Sequence, residues 1–158
     1  MIAPTGEQLS AALGVRRWVD EVAAGSPYAD LQALLEAAAA ASTPLSSEEI
    51  DEAMAHHPRI GERPVGDGAA QAFSRREQAS ADADDEEVNA AIAAGNAAYE
   101  ERFGRVFLIR AAGRSRAEIL GELRRRLELD DAAELVIVGE QLREIALLRL
   151  RATFEAVA

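Results

Sequence analysis

The sequence predicts an all-α fold, a single-domain bundle of about eight helices with one short extended connector. Three observations carry that expectation. Hydrophobic residues make up 49% of the 158 residues but aromatics only 4%. The apolar content is therefore largely alanine and leucine, which with Glu and Arg is the composition of closely packed helices. A Ser, Thr or Asp is repeatedly followed three residues later by Glu or Gln, the pattern of a helix start in which cap and third residue satisfy each other's backbone N–H groups. Only Val106-Phe107-Leu108-Ile109 reads as extended, and one such segment cannot make a sheet.

Thr5 with Gln8 opens a first helix near 6–13, and a second follows near 15–24, closed by Gly25 at the position of a C-terminal cap. Ser26-Pro27 reads as a cap followed by proline in the first turn, where the missing N–H costs nothing, and predicts a third helix over 27–41. Ser46 with Glu49 begins a fourth over 47–56. The stretch Gly61 to Gly68, rich in turn formers, is the one clear irregular loop. Ser74 with Glu77 starts a short helix near 75–80, and a longer one near 85–103 ends at Gly104. After the extended connector and Gly113, Ser115 with Glu118 opens a helix near 116–128, and Asp131 with Glu134 opens the last, near 132–155.

Composition also excludes function classes. The formal net charge of −11 argues against a nucleic-acid partner, since cations must replace the counterions around phosphates, and against an anionic membrane. No apolar run is long enough to span a bilayer, and Met-Ile-Ala-Pro-Thr does not resemble a secretion signal, so a cytoplasmic protein is expected. There is no cysteine, and all 17 basic residues are arginines. That removes thiolate nucleophiles, Schiff-base amines and cysteine metal sites. Proton chemistry near neutral pH then falls to histidine, and both histidines lie in His56-His57-Pro58.

Three residues break local rules. His57 precedes proline, which disfavours the helical region, so the helix from Ser47 should stop at about His56 and leave His57 as a turn residue beside the loop. The plain alternative is a surface helix that happens to end in His-His-Pro. Arg149 falls within the apolar stripe Leu135, Val138, Leu142, Ile145 and Ala146 of the last helix, at about 100° per residue. It is either a planar anion clamp at a pocket edge or a side chain snorkelling to water where the helix leaves the core. Glu77 either closes a capping box on Ser74 or, with Gln78, faces a ligand.

These residues, in this order, resemble the 2-oxo-4-hydroxy-4-carboxy-5-ureidoimidazoline (OHCU) decarboxylase family of purine catabolism, from about Trp18 to Arg151. The resemblance is carried by Ser26-Pro27-Tyr28, His57-Pro58-Arg59-Ile60-Gly61, Ser74-Arg75-Arg76-Glu77-Gln78-Ala79 and Asn96-Ala97-Ala98-Tyr99-Glu100-Glu101-Arg102-Phe103-Gly104. It continues through Val106-Phe107-Leu108-Ile109 to Gly113-Arg114-Ser115 and Ile145-Ala146-Leu147-Leu148-Arg149-Leu150. Ala79-Ser80 stands where Ala-Gly is more usual, away from the implied chemistry.

The resemblance implies a cofactor-free, metal-free enzyme, a homodimer, that converts OHCU to (S)-allantoin. It assigns catalysis to His57 and Glu77. Substrate binding falls to Pro58, Ser74, Gln78 and Arg149, and to the backbone around Leu108, Ile109 and Ala111. The residues themselves bear on two other classes. A non-catalytic acidic interaction module would not need His57, Glu77 and Arg149. Metal-dependent hydrolysis lacks the two-histidine helical spacing of a zinc site.

Overall fold

The computed structural model describes residues 1–55, 57, 73 and 75–155, and these fall into two compact units, Met1–His56 with Gly139–Ala158, and His57–Val138. The described residues are helical wherever they form regular structure, apart from one isolated antiparallel bridge between Ile2 and Tyr28. The all-α expectation holds.

In the first unit α1 (Gly6–Ala12) starts on the Thr5–Gln8 capping box, and α4 (Ser47–Met54) on the Ser46–Glu49 box, as the sequence pattern requires. Between them, α2 (Arg16–Ala24) has no side-chain cap of its own. The exposed Arg16 N–H is instead taken by the Glu52 carboxylate of α4 at 2.8 Å. Trp18 and Val22 are the buried face of α2, and the Trp18 indole N–H donates to the Ala38 carbonyl of α3 at 3.0 Å.

The third helix corrects the sequence reading: α3 runs Leu31–Ala41, with Asp30 rather than Ser26 as its cap. Tyr28 N–H and C=O are spent on Ile2 at 2.7 Å each, so this backbone cannot also serve a helix beginning at Pro27. The Asp30 carboxylate accepts from the Ala33 N–H at 2.8 Å instead.

The second unit is built around α5 (Glu86–Phe103) and α6 (Arg116–Arg126). Asp85 caps α5 and Gly104 ends it with φ 72°, the left-handed region that glycine enters without strain. The Ser115–Glu118 box opens α6. Asp82 adds a second cap, accepting from the Arg116 and Ala117 N–H groups at 2.7 and 3.0 Å. Those donors, Arg116 first, hold the Asp82 carboxyl below its ordinary range. The core cluster joins Ile92 and Tyr99 of α5, Ile119 and Leu123 of α6, and Phe107, Ile109 and Ala111 from the chain between them. The helices approach closely at Gly95, where a Cβ would lie 2.5 Å from Leu123 Cδ2.

The last helix, α7 (Asp131–Phe154), also starts one residue away from the sequence reading. The Asp130 side chain caps the Ala133 N–H at 2.7 Å, so Asp131 and Glu134 form no capping box. Glu134 is instead fully buried.

Candidate active site

The site residues implied by the sequence are distributed over both units. His57, Glu77, Gln78, Leu108, Ile109 and Ala111 belong to the second, and Arg149 to the first. Pro58, Ser74 and the neighbouring His56 lie outside the described residues, as does the loop from Gly61 to Gly68.

His57 is non-helical and half-buried, beyond the end of α4 at Met54 and its cap Ala55. That is the conformation expected of a residue ahead of proline. Phe73 and Arg75 to Glu77 are helical, and Gln78 occupies the turn after Glu77; Glu77 and Gln78 are half-buried. The capping-box reading of Glu77 turns on Ser74, which lies outside the described residues. His57, Glu77 and Gln78 all have interaction partners.

The segment Val106–Ile109 is neither helical nor paired in a ladder, as the extended-connector reading expects. Phe107, Leu108, Ile109 and Ala111 are all buried. Sequence reasoning missed what holds this segment. Arg126, at the end of α6, donates through Nη1 to the Leu108 carbonyl at 2.7 Å. Its Nε lies 2.8 Å from Glu134 Oε1 and 3.0 Å from Oε2, and its Nη2 also bonds Glu134. The Tyr99 hydroxyl donates to the same carboxylate at 2.7 Å. Burial, and then the Glu134 carboxylate, push the Tyr99 hydroxyl far above its ordinary range, so it remains a donor. Arg126 is 1% exposed and Glu134 and Tyr99 are 0%. A buried charge is tolerated only when paired and hydrogen-bonded, and here each is.

Arg149 is 5% exposed and lies on the same face of α7 as the buried Val138, Leu142, Ile145 and Ala146. The stripe is as expected, except that Leu135 is only half-buried. Arg149 does not snorkel. Its Nη1 donates to the Ala11 carbonyl at 2.9 Å. Ala11 sits in the last turn of α1, whose carbonyls have no intrahelical partners and which carries no basic residue of its own. One edge of the planar guanidinium thus closes the end of α1.

Residues 5–151 match the OHCU decarboxylase family. The chain belongs to the OHCU decarboxylase family. A curated relative, the uric acid degradation bifunctional protein TTL of Arabidopsis thaliana, is 33% identical over 107 residues, 65% of this chain. This family member spans only 33% of that relative's length. A crystal structure of OHCU decarboxylase in the presence of (S)-allantoin shares the fold, with a TM-score of 0.77. It is 23% identical, and the alignment covers 94% of this chain and 98% of the other.

Proposed function

We propose that this OHCU decarboxylase family member converts OHCU to (S)-allantoin in urate degradation. The observation that carries the proposal is the family match over residues 5–151, a range that spans the positions of all the implied site residues. It also runs through both compact units, supporting a reading of 1–158 as one functional domain.

The reaction needs a place for the electron pair left when carbon dioxide departs. In OHCU the ring imine adjoins the carbon that carries hydroxyl and carboxylate. The carbon–carboxylate bond breaks, its electrons form a double bond to the neighbouring ring carbon, and the imine electrons move to nitrogen, which takes a proton. An enol-like intermediate remains. Protonation of that neighbouring carbon from one face, with loss of the hydroxyl proton, gives allantoin of one hand. The substrate supplies the electron sink itself, so the reading includes no cofactor and no metal.

His57 is assigned the proton transfer, as the one described imidazole and a non-helical, half-buried residue. Glu77 orients the imidazole or the ureido and hydroxyl groups. Arg149 binds anionic or carbonyl oxygens, for which a planar guanidinium is suited. Gln78, Ser74, Pro58 and the backbone at Leu108, Ile109 and Ala111 complete the binding set. The working form is proposed to be a cytoplasmic homodimer. Among the described residues no helix is long and apolar enough to cross a membrane.

The direct test follows the ultraviolet absorbance of freshly generated OHCU, which decays unaided. The reading requires decay to accelerate in proportion to protein concentration, with no added cofactor. A rate indistinguishable from the spontaneous one would exclude it.

A further inference from the structure

Phe107, Leu108 and Ile109 are buried yet belong to no helix and no ladder. Backbone without ladder partners keeps a defined orientation only if something else holds its peptide groups. Here a guanidinium does so twice over. Arg126 Nη1 donates to the Leu108 carbonyl, and Arg126 Cζ lies 4.6 Å above the centroid of the Phe107 ring. Adjacent residues of the connector therefore both engage one cation. The Glu134 carboxylate accepts from the Nε of that cation, and the Tyr99 hydroxyl donates to the same carboxylate. Tyr99 also packs on Phe107, with ring centroids 5.2 Å apart at 70°.

Stability alone is a weak reason for such a network, because a buried ion pair can often be replaced by apolar residues of similar volume without loss. What an apolar pair cannot do is point a carbonyl. The Leu108–Ile109 peptide is trans, so its C=O and N–H point in opposite directions. Drawing the Leu108 carbonyl onto Arg126 turns the Ile109 N–H away from the network.

We propose that Arg126, braced by Glu134 and Tyr99, is a positioning residue that orients the Leu108–Ile109 peptide to hydrogen-bond the substrate. This rests on the decarboxylase reading above. Arg126 itself touches no reacting atom. Its effect reaches the chemistry through the direction of one peptide group, and donors aimed at developing charge lose effect quickly when misaligned.

The double variant Arg126→Met with Glu134→Leu removes both charges together and keeps the interior apolar. It should stay helical by circular dichroism, while kcat on OHCU falls about ten-fold or more and KM changes little. The Leu108 carbonyl carbon resonance should shift, because its hydrogen bond is gone. Tyr99→Phe, which removes one hydroxyl, should move both readouts in the same direction by less, and it decides the matter if the double variant does not fold. A folded variant with wild-type kcat, or an unmoved Leu108 resonance, overturns the proposal. Wild-type protein with no turnover sinks the decarboxylase reading instead, and the Leu108 resonance still decides whether the clamp exists.

Discussion

Arg149→Met separates the two tasks assigned to one side chain. The guanidinium closes α1 through a 2.9 Å bond from Nη1 to the Ala11 carbonyl, at a residue 5% exposed. A hydrogen bond from a charged donor contributes about 1.5–3 kcal/mol. In a chain of this size that corresponds to roughly 3–12 °C in Tm. Relief of burying a cation acts the other way. A net destabilisation in the lower half of that range is therefore expected, rather than the neutral or stabilising effect that a continuous apolar stripe would suggest. Arg149→Lys keeps a cation able to reach Ala11 but loses the planar fork. It should retain most of the Tm while kcat/KM falls about ten-fold or more, as fits loss of a bidentate contact. Thermal unfolding followed by circular dichroism and steady-state kinetics on OHCU read the two tasks separately. Arg149→Lys with wild-type kcat/KM would leave Arg149 as a helix cap alone, and Arg149→Met with wild-type Tm would remove the capping role.

His57→Asn should lower kcat by about 10²-fold or more if the imidazole transfers the proton, while His56→Ala stays near wild type; equal losses measured in both would mean structural damage. Gly95→Ala gains about 1 kcal/mol of helix propensity but sets its Cβ 2.5 Å from Leu123 Cδ2, an overpacking cost of about 1–3 kcal/mol, so urea denaturation should show no net gain; stabilisation by the full propensity value would contradict the close approach of α5 and α6. Asp82 is held below its ordinary range by the Arg116 and Ala117 N–H groups and the Ser80 hydroxyl. Its stabilisation is thus complete above the unfolded carboxylate pKa and is lost as pH falls through the lower folded value. Asp82→Asn should therefore lower Tm at neutral pH, with the gap to wild type closing in acid; a gap independent of pH would contradict the capping role.

Helix starts were readable where cap and third residue close a reciprocal box. Thr5, Ser46 and Ser115 each close a reciprocal box with the residue three further on. Where the reading failed, the residues it used had partners distant in sequence, and a lone local Asp supplied the cap instead, Asp30 for α3 and Asp130 for α7. Ser26-Pro27 reads as a cap until Tyr28 is seen paired with Ile2. Glu134 has the spacing of a box residue, but Arg126 and Tyr99 claim its carboxylate.

For the site, the rule that singled out Arg149, a guanidinium on an apolar stripe, applies equally to Arg126. It follows the buried Ile119 and Leu123 at helical spacing on α6. Its place in Arg124-Arg125-Arg126 disguised it as one more cation at a helix C-terminus, where positive charge is expected anyway. Likewise Glu134 precedes Val138 and Leu142 on the face of α7 that later carries Arg149. Two opposite charges on buried stripes of neighbouring helices were a legible signal of a pair. Which carbonyl that pair would hold was not, because nothing local in Val106-Phe107-Leu108-Ile109 marks Leu108 as its acceptor.

The central claim is that this chain directs a proton to one face of a decarboxylating ring, and the handedness of the product tests it most directly. Circular dichroism of the allantoin formed from fresh OHCU should develop the signal of the S form with wild-type protein. With His57→Asn the product should approach the optically inactive mixture of unaided decay. A racemic product from the wild-type protein, or an undiminished S signal and rate from His57→Asn, would contradict the account.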